Sequence, residues 1–143
     1  MRAAITLHDE MAELPRIVAF TTEFAKRNGL PAHELSRTLV ILDELFSNIV
    51  RHGYEDINSG SGCIELSLSL SDNYLRIELT DDGRAFDPLG IEGPDLDKLA
   101  VERPIGGLGI HIVRNLVDQA QYTRQGERNR LVLNRRIAPG PAD

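Results

Sequence analysis

Apolar residues in the first third of the chain recur at the spacing of two consecutive helices. Between Glu13 and Asn28 they return every three or four positions, and the pair Asn28-Gly29 then supplies a helix stop. A second run starts after Pro31 and stops at Gly53, and its apolar stripe comprises Leu35, Leu39, Leu42, Phe46, Ile49 and Val50. The pattern predicts two amphipathic helices, of which the second is the longer.

The period changes from helical to alternating after residue 62. Apolar and polar residues alternate over residues 64–70 and again over 75–79, with Ser71-Asp72-Asn73 between the two runs. This pattern predicts an antiparallel hairpin with one buried face. We also expect an N-terminal edge strand over residues 3–7, a third helix over 108–118, and two last strands near 120–124 and 130–137.

The order of these elements predicts the fold class. Residues 82–107 show little periodicity and carry prolines at 88, 94 and 104, and so long a connection inside a small domain is typical of a functional lid. We therefore predict an α+β fold, a two-layer α/β sandwich whose mixed, mostly antiparallel sheet has helices packed on one face. One domain over residues 1–138 and a disordered tail over 139–143 are expected.

Composition and charge exclude several classes of function. A net charge of −6 argues against a nucleic-acid-binding protein, which would carry a basic face. The chain lacks the roughly 18 consecutive apolar residues of a membrane span, and its N-terminus lacks the apolar core of a secretory signal. The single cysteine, Cys63, excludes an internal disulfide and fits a reducing compartment, so we expect a cytoplasmic protein.

A glycine cluster precedes the third predicted helix, in the stretch RPIGGLGIHIVRN at residues 103–115. It has no third glycine at the spacing of a dinucleotide-binding fingerprint, and it follows a loop where that fingerprint follows a strand. It also lacks the lysine of a P-loop, since the only lysines are Lys26 and Lys98. Two interpretations remain at this point: a plain turn before a helix, or a loop whose amides and following helix N-terminus hold an anion.

Polar residues interrupt the apolar pattern of the long helix near its end. Glu44, Asn48 and either Arg51 or His52 share one helical face at the margin of the apolar stripe. An amide oxygen at such a place can bind Mg²⁺, and a carboxylate one turn away can accept a proton from an attacking hydroxyl. An ordinary exposed Glu/Asn pair is the alternative interpretation of the same spacing.

A third polar motif follows the second strand of the predicted hairpin. Asp81 ends that strand and Gly83 comes two residues later. A carboxylate in this place can accept a hydrogen bond from the amino group of a ring, and a glycine allows a ligand to approach the backbone closely. Asp-Asp-Gly is also a common turn, so this motif by itself indicates little.

In this order, the three motifs resemble the GHKL (Bergerat-fold) ATP-binding domain shared by gyrase, sensor histidine kinases and MutL. The similarity covers about residues 35–137. The segments ELFSNIVRHGY, DDGRAFDP and ERPIGGLGIHIVRNLVD are more closely similar to the small anti-sigma-factor serine/threonine kinases of bacterial partner-switching systems.

The resemblance implies ATP and Mg²⁺ as cofactors and assigns a role to each matching position. Glu44 would be the general base, Asn48 would bind Mg²⁺, and His52 would lie near the phosphates. Asp81 would accept a hydrogen bond from the adenine amino group, with Gly83 lining the base site. The other positions implied in nucleotide binding are Ala85, Phe86, Arg103, Gly106, Gly107, Leu108, Gly109 and Ile110.

Two residues differ from those usual at their positions in this fold, and the sequence around a third resembles a motif of a different family. Ala85 replaces a second glycine, and Asn129 stands where the wider fold often has a threonine near adenine. His33 lies in a sequence that looks like the phospho-acceptor box of a histidine kinase. Because it is only eleven residues before Glu44 on the same predicted helix, we interpret it as a surface residue.

The resemblance also implies an activity and partners. The chain would be a protein serine kinase that phosphorylates a STAS-domain anti-anti-sigma protein and sequesters a sigma factor or another target. A homodimer is implied by the family as well. The alternative is a non-catalytic binding module gated by nucleotide, and retention of Glu44 favours the kinase, since a pure binder needs no base there.

Overall fold

The computed structural model of the chain describes residues 1–54, 62–90 and 107–137. In chain order the elements are β1 (Arg2–Leu7), a 3-10 turn (Met11–Glu13), α1 (Leu14–Asn28), α2 (Ala32–Gly53), β2 (Ile64–Ser71), β3 (Tyr74–Asp81), a second 3-10 turn (Pro88–Gly90), α3 (Gly107–Leu116), β4 (Gln119–Gln125) and β5 (Arg128–Arg136). Every helix and strand predicted from the sequence pattern is confirmed, with boundaries that differ by at most two residues.

The five strands form one sheet in the order β1-β2-β3-β5-β4. All four pairings between these described strands are antiparallel, which confirms the predominance of antiparallel pairing. The parallel pairing that a mixed sheet would include is not found among them. The turn between β2 and β3 explains the tight hairpin, because Asp72 and Asn73 both adopt the positive φ angles, 53° and 64°, that its two central residues require.

The three helices cover one face of the sheet, as predicted. Alternate residues of β2, β3 and β5 point inward and pack against apolar residues of all three helices, for example Leu66, Ile77 and Leu133. The opposite face is polar, and there Arg2 donates to the Ser67 hydroxyl at 2.8 Å. The architecture is therefore the predicted two-layer α+β sandwich.

The buried face of α2 differs from the predicted stripe at its first turns. Leu35 and Leu39 are half-buried, whereas the polar Glu34 is fully buried with 0% exposed. The Glu34 carboxylate pairs with the Arg135 guanidinium of β5 at 2.7 Å, and Arg135 also donates to the carbonyl of Leu116 at the end of α3. Hydrophobic periodicity cannot anticipate a buried ion pair, because its partner lies 101 residues away in the chain.

Several features of the predicted organisation lie outside the described residues. These are the 139–143 tail and residues 91–106 of the predicted lid. Within the part of the chain that the structure covers, no helix combines the length and the apolar composition needed to cross a membrane.

Candidate active site

The last turns of α2 bring Glu44 and Asn48 into direct contact. The Asn48 amide nitrogen donates to the Glu44 carbonyl at 2.8 Å and to its carboxylate oxygen Oε1 at 3.2 Å. Asn48 is only 1% exposed, and its oxygen Oδ1 has no hydrogen-bond partner among the described residues. Because a buried polar atom is almost always satisfied, this acceptor is a fitting ligand for a hard cation. These contacts are unlike those of an ordinary exposed Glu/Asn pair.

The first turn of α3 packs directly on the Glu44 carboxylate. A Cβ atom placed at Gly109 would lie 2.0 Å from the Glu44 carboxyl carbon and 2.1 Å from its Oε1 atom. Only glycine therefore allows the two helices to approach this closely with Glu44 in its present position. The structure thus brings Glu44, Asn48 and the amino end of α3 to one place, where free helix amides favour an anion.

The carboxylate of Asp81 is held at the end of β3. It is only 3% exposed, and its Oδ1 atom accepts hydrogen bonds from the Gly83 backbone N–H and from the Asn129 side chain, both at 2.9 Å. Burial raises the pKa of Asp81 above its usual range, while these two hydrogen bonds act in the opposite direction. The result is a buried, oriented acceptor of the kind that recognises an amino group.

Gly83 joins this acceptor to the end of α2. A Cβ atom at this position would lie 2.9 Å from the Gly53 carbonyl oxygen, so a side chain does not fit there. The next residue, Arg84, donates its backbone N–H to the same carbonyl at 3.0 Å. The turn after β3 and the last turn of α2 are therefore fixed relative to each other, which positions Asp81 with respect to Asn48.

Tyr54 and Asp82 reinforce this junction on its other side. The Tyr54 hydroxyl donates to the Asp82 carboxylate at 2.5 Å, and the Cys63 backbone N–H donates to the same oxygen at 2.9 Å. Burial acts to raise the pKa of Asp82, but these hydrogen bonds outweigh it and lower the pKa below its usual range. Burial and the Asp82 contact raise the pKa of Tyr54, which therefore stays protonated as a donor.

The rings of His52 and Phe86 are in contact in the structure, although the sequence placed the two residues in different motifs. Their rings stack with centroids 4.8 Å apart, and the His52 carbonyl accepts a hydrogen bond from the Arg84 side chain at 2.6 Å. The His52 ring thus lies against the loop that follows Asp81. Its predicted role near the phosphates stays a prediction. Ala85, in the same loop, is exposed.

Asn129 is the residue whose role the sequence left open. It lies on β5 directly opposite Asp81, with 3% of its surface exposed. Its side chain contacts Asp81, the loop after β3, and two residues of β4, namely Tyr122 and Arg124. No sequence signal identifies Tyr122 and Arg124, because only the pairing of β4 with β5 brings them to the site.

Of the remaining predicted site residues, three belong to α3 and two lie outside the described part of the chain. Ile110 is fully buried in the core, so its side chain packs and only its backbone is available to a ligand. Gly107 begins α3, and Leu108 follows it in the same turn. Arg103 and Gly106 lie outside the described residues, and their predicted nucleotide contacts stay predictions.

Comparison with known proteins identifies the family to which this geometry belongs. Residues 7–135 match the family described as histidine kinase-like ATPase domain. The chain is 31% identical over 116 residues to proteins named serine-protein kinase RsbW from Bacillus thuringiensis and Bacillus anthracis, in matches that cover 77% of this chain and 70% of each relative.

Solved structures share the fold at lower identity. The structure of the RsbU and RsbW domains of a Mycobacterium tuberculosis protein superposes with a TM-score of 0.69 at 18% identity, covering 98% of this chain and 33% of that chain. The chain thus spans about a third of that protein. An Acinetobacter baumannii histidine kinase superposes with a TM-score of 0.50 at 16% identity.

The family match covers most of the chain and includes the three motifs around which the site is built. The Bacillus relatives, of which 70% of the length is covered, are named serine-protein kinases. The chain belongs to the GHKL family of histidine kinase-like ATPase domains, in the branch of the partner-switching anti-sigma-factor serine kinases.

Proposed function

We propose that this protein is a cytoplasmic serine kinase that uses Mg-ATP to phosphorylate a STAS-domain anti-anti-sigma protein on a serine, and that it sequesters a sigma factor or another target. The observation that carries the proposal is the meeting of Glu44, the unpartnered Asn48 oxygen and the first turn of α3. A base, a cation ligand and an anion-favouring helix end are the groups that phosphoryl transfer to a hydroxyl requires.

The proposed mechanism relies on positioning. Glu44 accepts the proton of the substrate serine as its oxygen attacks the terminal phosphorus, and Asn48 keeps Glu44 in place through its amide. The amides at the start of α3 face the negative charge of the phosphates. Mg²⁺, when bound, neutralises phosphate charge, and the Asn48 oxygen is the protein atom that fits it. Asp81 accepts from the adenine amino group and fixes the other end of the nucleotide.

The competing proposal is a non-catalytic module in which nucleotide only gates binding of a partner. Such a module needs Asp81 and Asn48 but no base. The close packing of Gly109 of α3 against the Glu44 carboxylate, which fixes the position of this base, therefore favours the kinase.

The test is incubation of the protein with Mg²⁺, ATP labelled in its γ-phosphate, and a STAS-domain anti-anti-sigma protein from the same organism. The proposal expects label on a serine of the STAS protein and loss of labelling when that serine is replaced by alanine. A nucleotide-dependent complex without label would support the binding module instead. Label on a histidine would indicate a histidine kinase.

Replacement of Gly109 by alanine tests whether the position of the Glu44 carboxylate against α3 matters for phosphoryl transfer. The added methyl group would occupy the place of the Glu44 carboxylate, which is the end of a flexible side chain and can rotate away. Little change in unfolding free energy is therefore expected, and alanine favours a helix over glycine by about 1 kcal/mol. The amide that faces the phosphates is retained. The transfer rate should fall about tenfold or more, while the KM for ATP changes little, as steady-state kinetics would measure.

Gly90→Ala is the matched control. A Cβ atom there would meet its nearest neighbour, the Asp87 Cβ, at an ordinary 3.7 Å. Its kinetics should equal those of the unaltered protein. A Gly109→Ala protein that transfers phosphate at the normal rate would contradict the proposed position of Glu44 as the base. A loss of ATP affinity in parallel with the rate would indicate that Gly109 acts in phosphate binding.

A further inference from the structure

The carboxamide of Asn129 uses all of its hydrogen-bonding capacity within the protein. Its nitrogen Nδ2 donates to Asp81 Oδ1 at 2.9 Å and to the Arg84 carbonyl at 2.8 Å. A carboxamide has two N–H donors, so none remains for a ligand. Its oxygen Oδ1 accepts from the Tyr122 hydroxyl, from Arg124 Nη1 at 3.2 Å and from the Phe86 backbone N–H at 3.4 Å. Asn129 is thus unable to donate to a purine ring in the way a threonine hydroxyl could.

The surroundings of Asn129 also determine which way its carboxamide faces. The nitrogen lies between two oxygen acceptors, and the oxygen faces a hydroxyl and a cation. A flipped carboxamide would set oxygen against Asp81 Oδ1 and nitrogen against the Arg124 guanidinium. Both contacts would be repulsive inside a buried site. Arg124 is held in turn, since Nη1 also donates to the Gly83 carbonyl at 2.8 Å.

This arrangement leaves one oxygen of Asp81 available. Oδ1 is occupied by Gly83 and Asn129, whereas Oδ2 accepts no hydrogen bond from the part of the chain that the structure describes. Asp81 is almost completely buried. Rotation about its Cβ–Cγ bond sets the direction in which Oδ2 points. The hydrogen bonds that Gly83 and Asn129 donate to Oδ1 together restrict this rotation, and Asn129 is the one of the two that acts through a side chain.

We infer that Asn129 is a positioning residue that makes the protein select adenine: it holds Asp81 with Oδ2 directed to the adenine amino group and does not itself touch the base. The inference rests on the proposed function, since it presumes an ATP site at Asp81. Where the wider fold often has a threonine near adenine, Asn129 thus acts indirectly, and Tyr122 and Arg124 of β4 hold its carboxamide by hydrogen bonds.

The experiment compares two nucleotides that differ only in the amino group. The probes are ATP and purine riboside triphosphate, whose ring lacks the 6-amino group, and the dissociation constants are measured by competition with a fluorescent nucleotide. Asn129→Asp is the variant, because it keeps the shape of the side chain but sets an oxygen 2.9 Å from Asp81 Oδ1. The preference of the unaltered protein for ATP should fall about tenfold or more, the usual effect of one hydrogen bond to a charged group.

The affinity for purine riboside triphosphate should stay nearly constant in this variant, since that nucleotide never contacted Asp81 through an amino group. A variant that binds both nucleotides more weakly by the same factor would show a purely structural role and overturn the inference. Asn134→Asp is the matched control: it adds the same charge to β5 on the outer face, opposite Arg76. Its preference for ATP should be unchanged.

A second variant covers the case in which Asn129→Asp does not fold, as a thermal melt would reveal. Tyr122→Phe removes only the hydroxyl on the acceptor side of the carboxamide. It should lower the preference for ATP severalfold, and an unchanged preference would overturn the inference. Absence of the ATP site that the proposed function requires has a different signature, because the unaltered protein would then bind neither nucleotide.

Discussion

Replacement of Glu44 by glutamine is expected to lower the rate of phosphoryl transfer to the STAS-domain serine by about a hundred- to ten-thousand-fold, the range typical for loss of a general base. The affinity for ATP should stay within about twofold. Glutamine keeps an oxygen that can accept from the Asn48 amide, so the contact at 3.2 Å survives while the proton acceptor is lost. Single-turnover transfer of labelled phosphate, with ATP binding measured in parallel, separates the two effects.

Asp43→Asn is the matched control for this prediction. It removes a carboxylate from the adjacent position of α2, but Asp43 is exposed and lies beside Leu39 and Val40, away from the site. Its transfer rate should equal that of the unaltered protein. Normal transfer by Glu44→Gln would rule out Glu44 as the base and leave the nucleotide-gated module as the better proposal.

Asn48→Ala is expected to abolish the Mg²⁺-dependent part of ATP binding. The substitution removes the buried oxygen that has no partner in the described structure, together with the amide that holds Glu44. Changes in the groups that surround a metal commonly cost about 10- to 100-fold in its affinity, and loss of a ligand should cost no less. ATP affinity measured with Mg²⁺ and with a chelator would show the effect as the loss of the difference between the two conditions.

The control for Asn48 is Asn28→Ala. The Asn28 amide donates to the carbonyl four residues earlier at 2.8 Å, as the Asn48 amide does, but it lies at the end of α1. Both substitutions remove the same type of local hydrogen bond to a helix carbonyl, so Asn28→Ala reproduces that loss away from the site. A Mg²⁺-dependent affinity in Asn48→Ala that matches the Asn28→Ala protein would contradict the metal role.

The identities of the helices and strands were predictable because they depend on local spacing. The alternation over residues 64–70 and 75–79 requires no knowledge of a partner strand, and the observed hairpin follows it. Charge placement was less predictable. Glu34 is buried on α2 in place of the expected Leu35, since an ion pair with Arg135 from the far end of the chain compensates its burial.

The sequence by itself determined the elements, the two-layer class and the order of three polar motifs, each of which consists of residues close together in the chain. Only the tertiary structure decided how the motifs meet. It packed Glu44 against Gly109, left the Asn48 oxygen without a partner among the described residues, and placed Asn129 opposite Asp81. These are contacts between residues 48 to 65 positions apart or between strands whose register no local pattern encodes, because the free energy that selects them comes from packing the whole core.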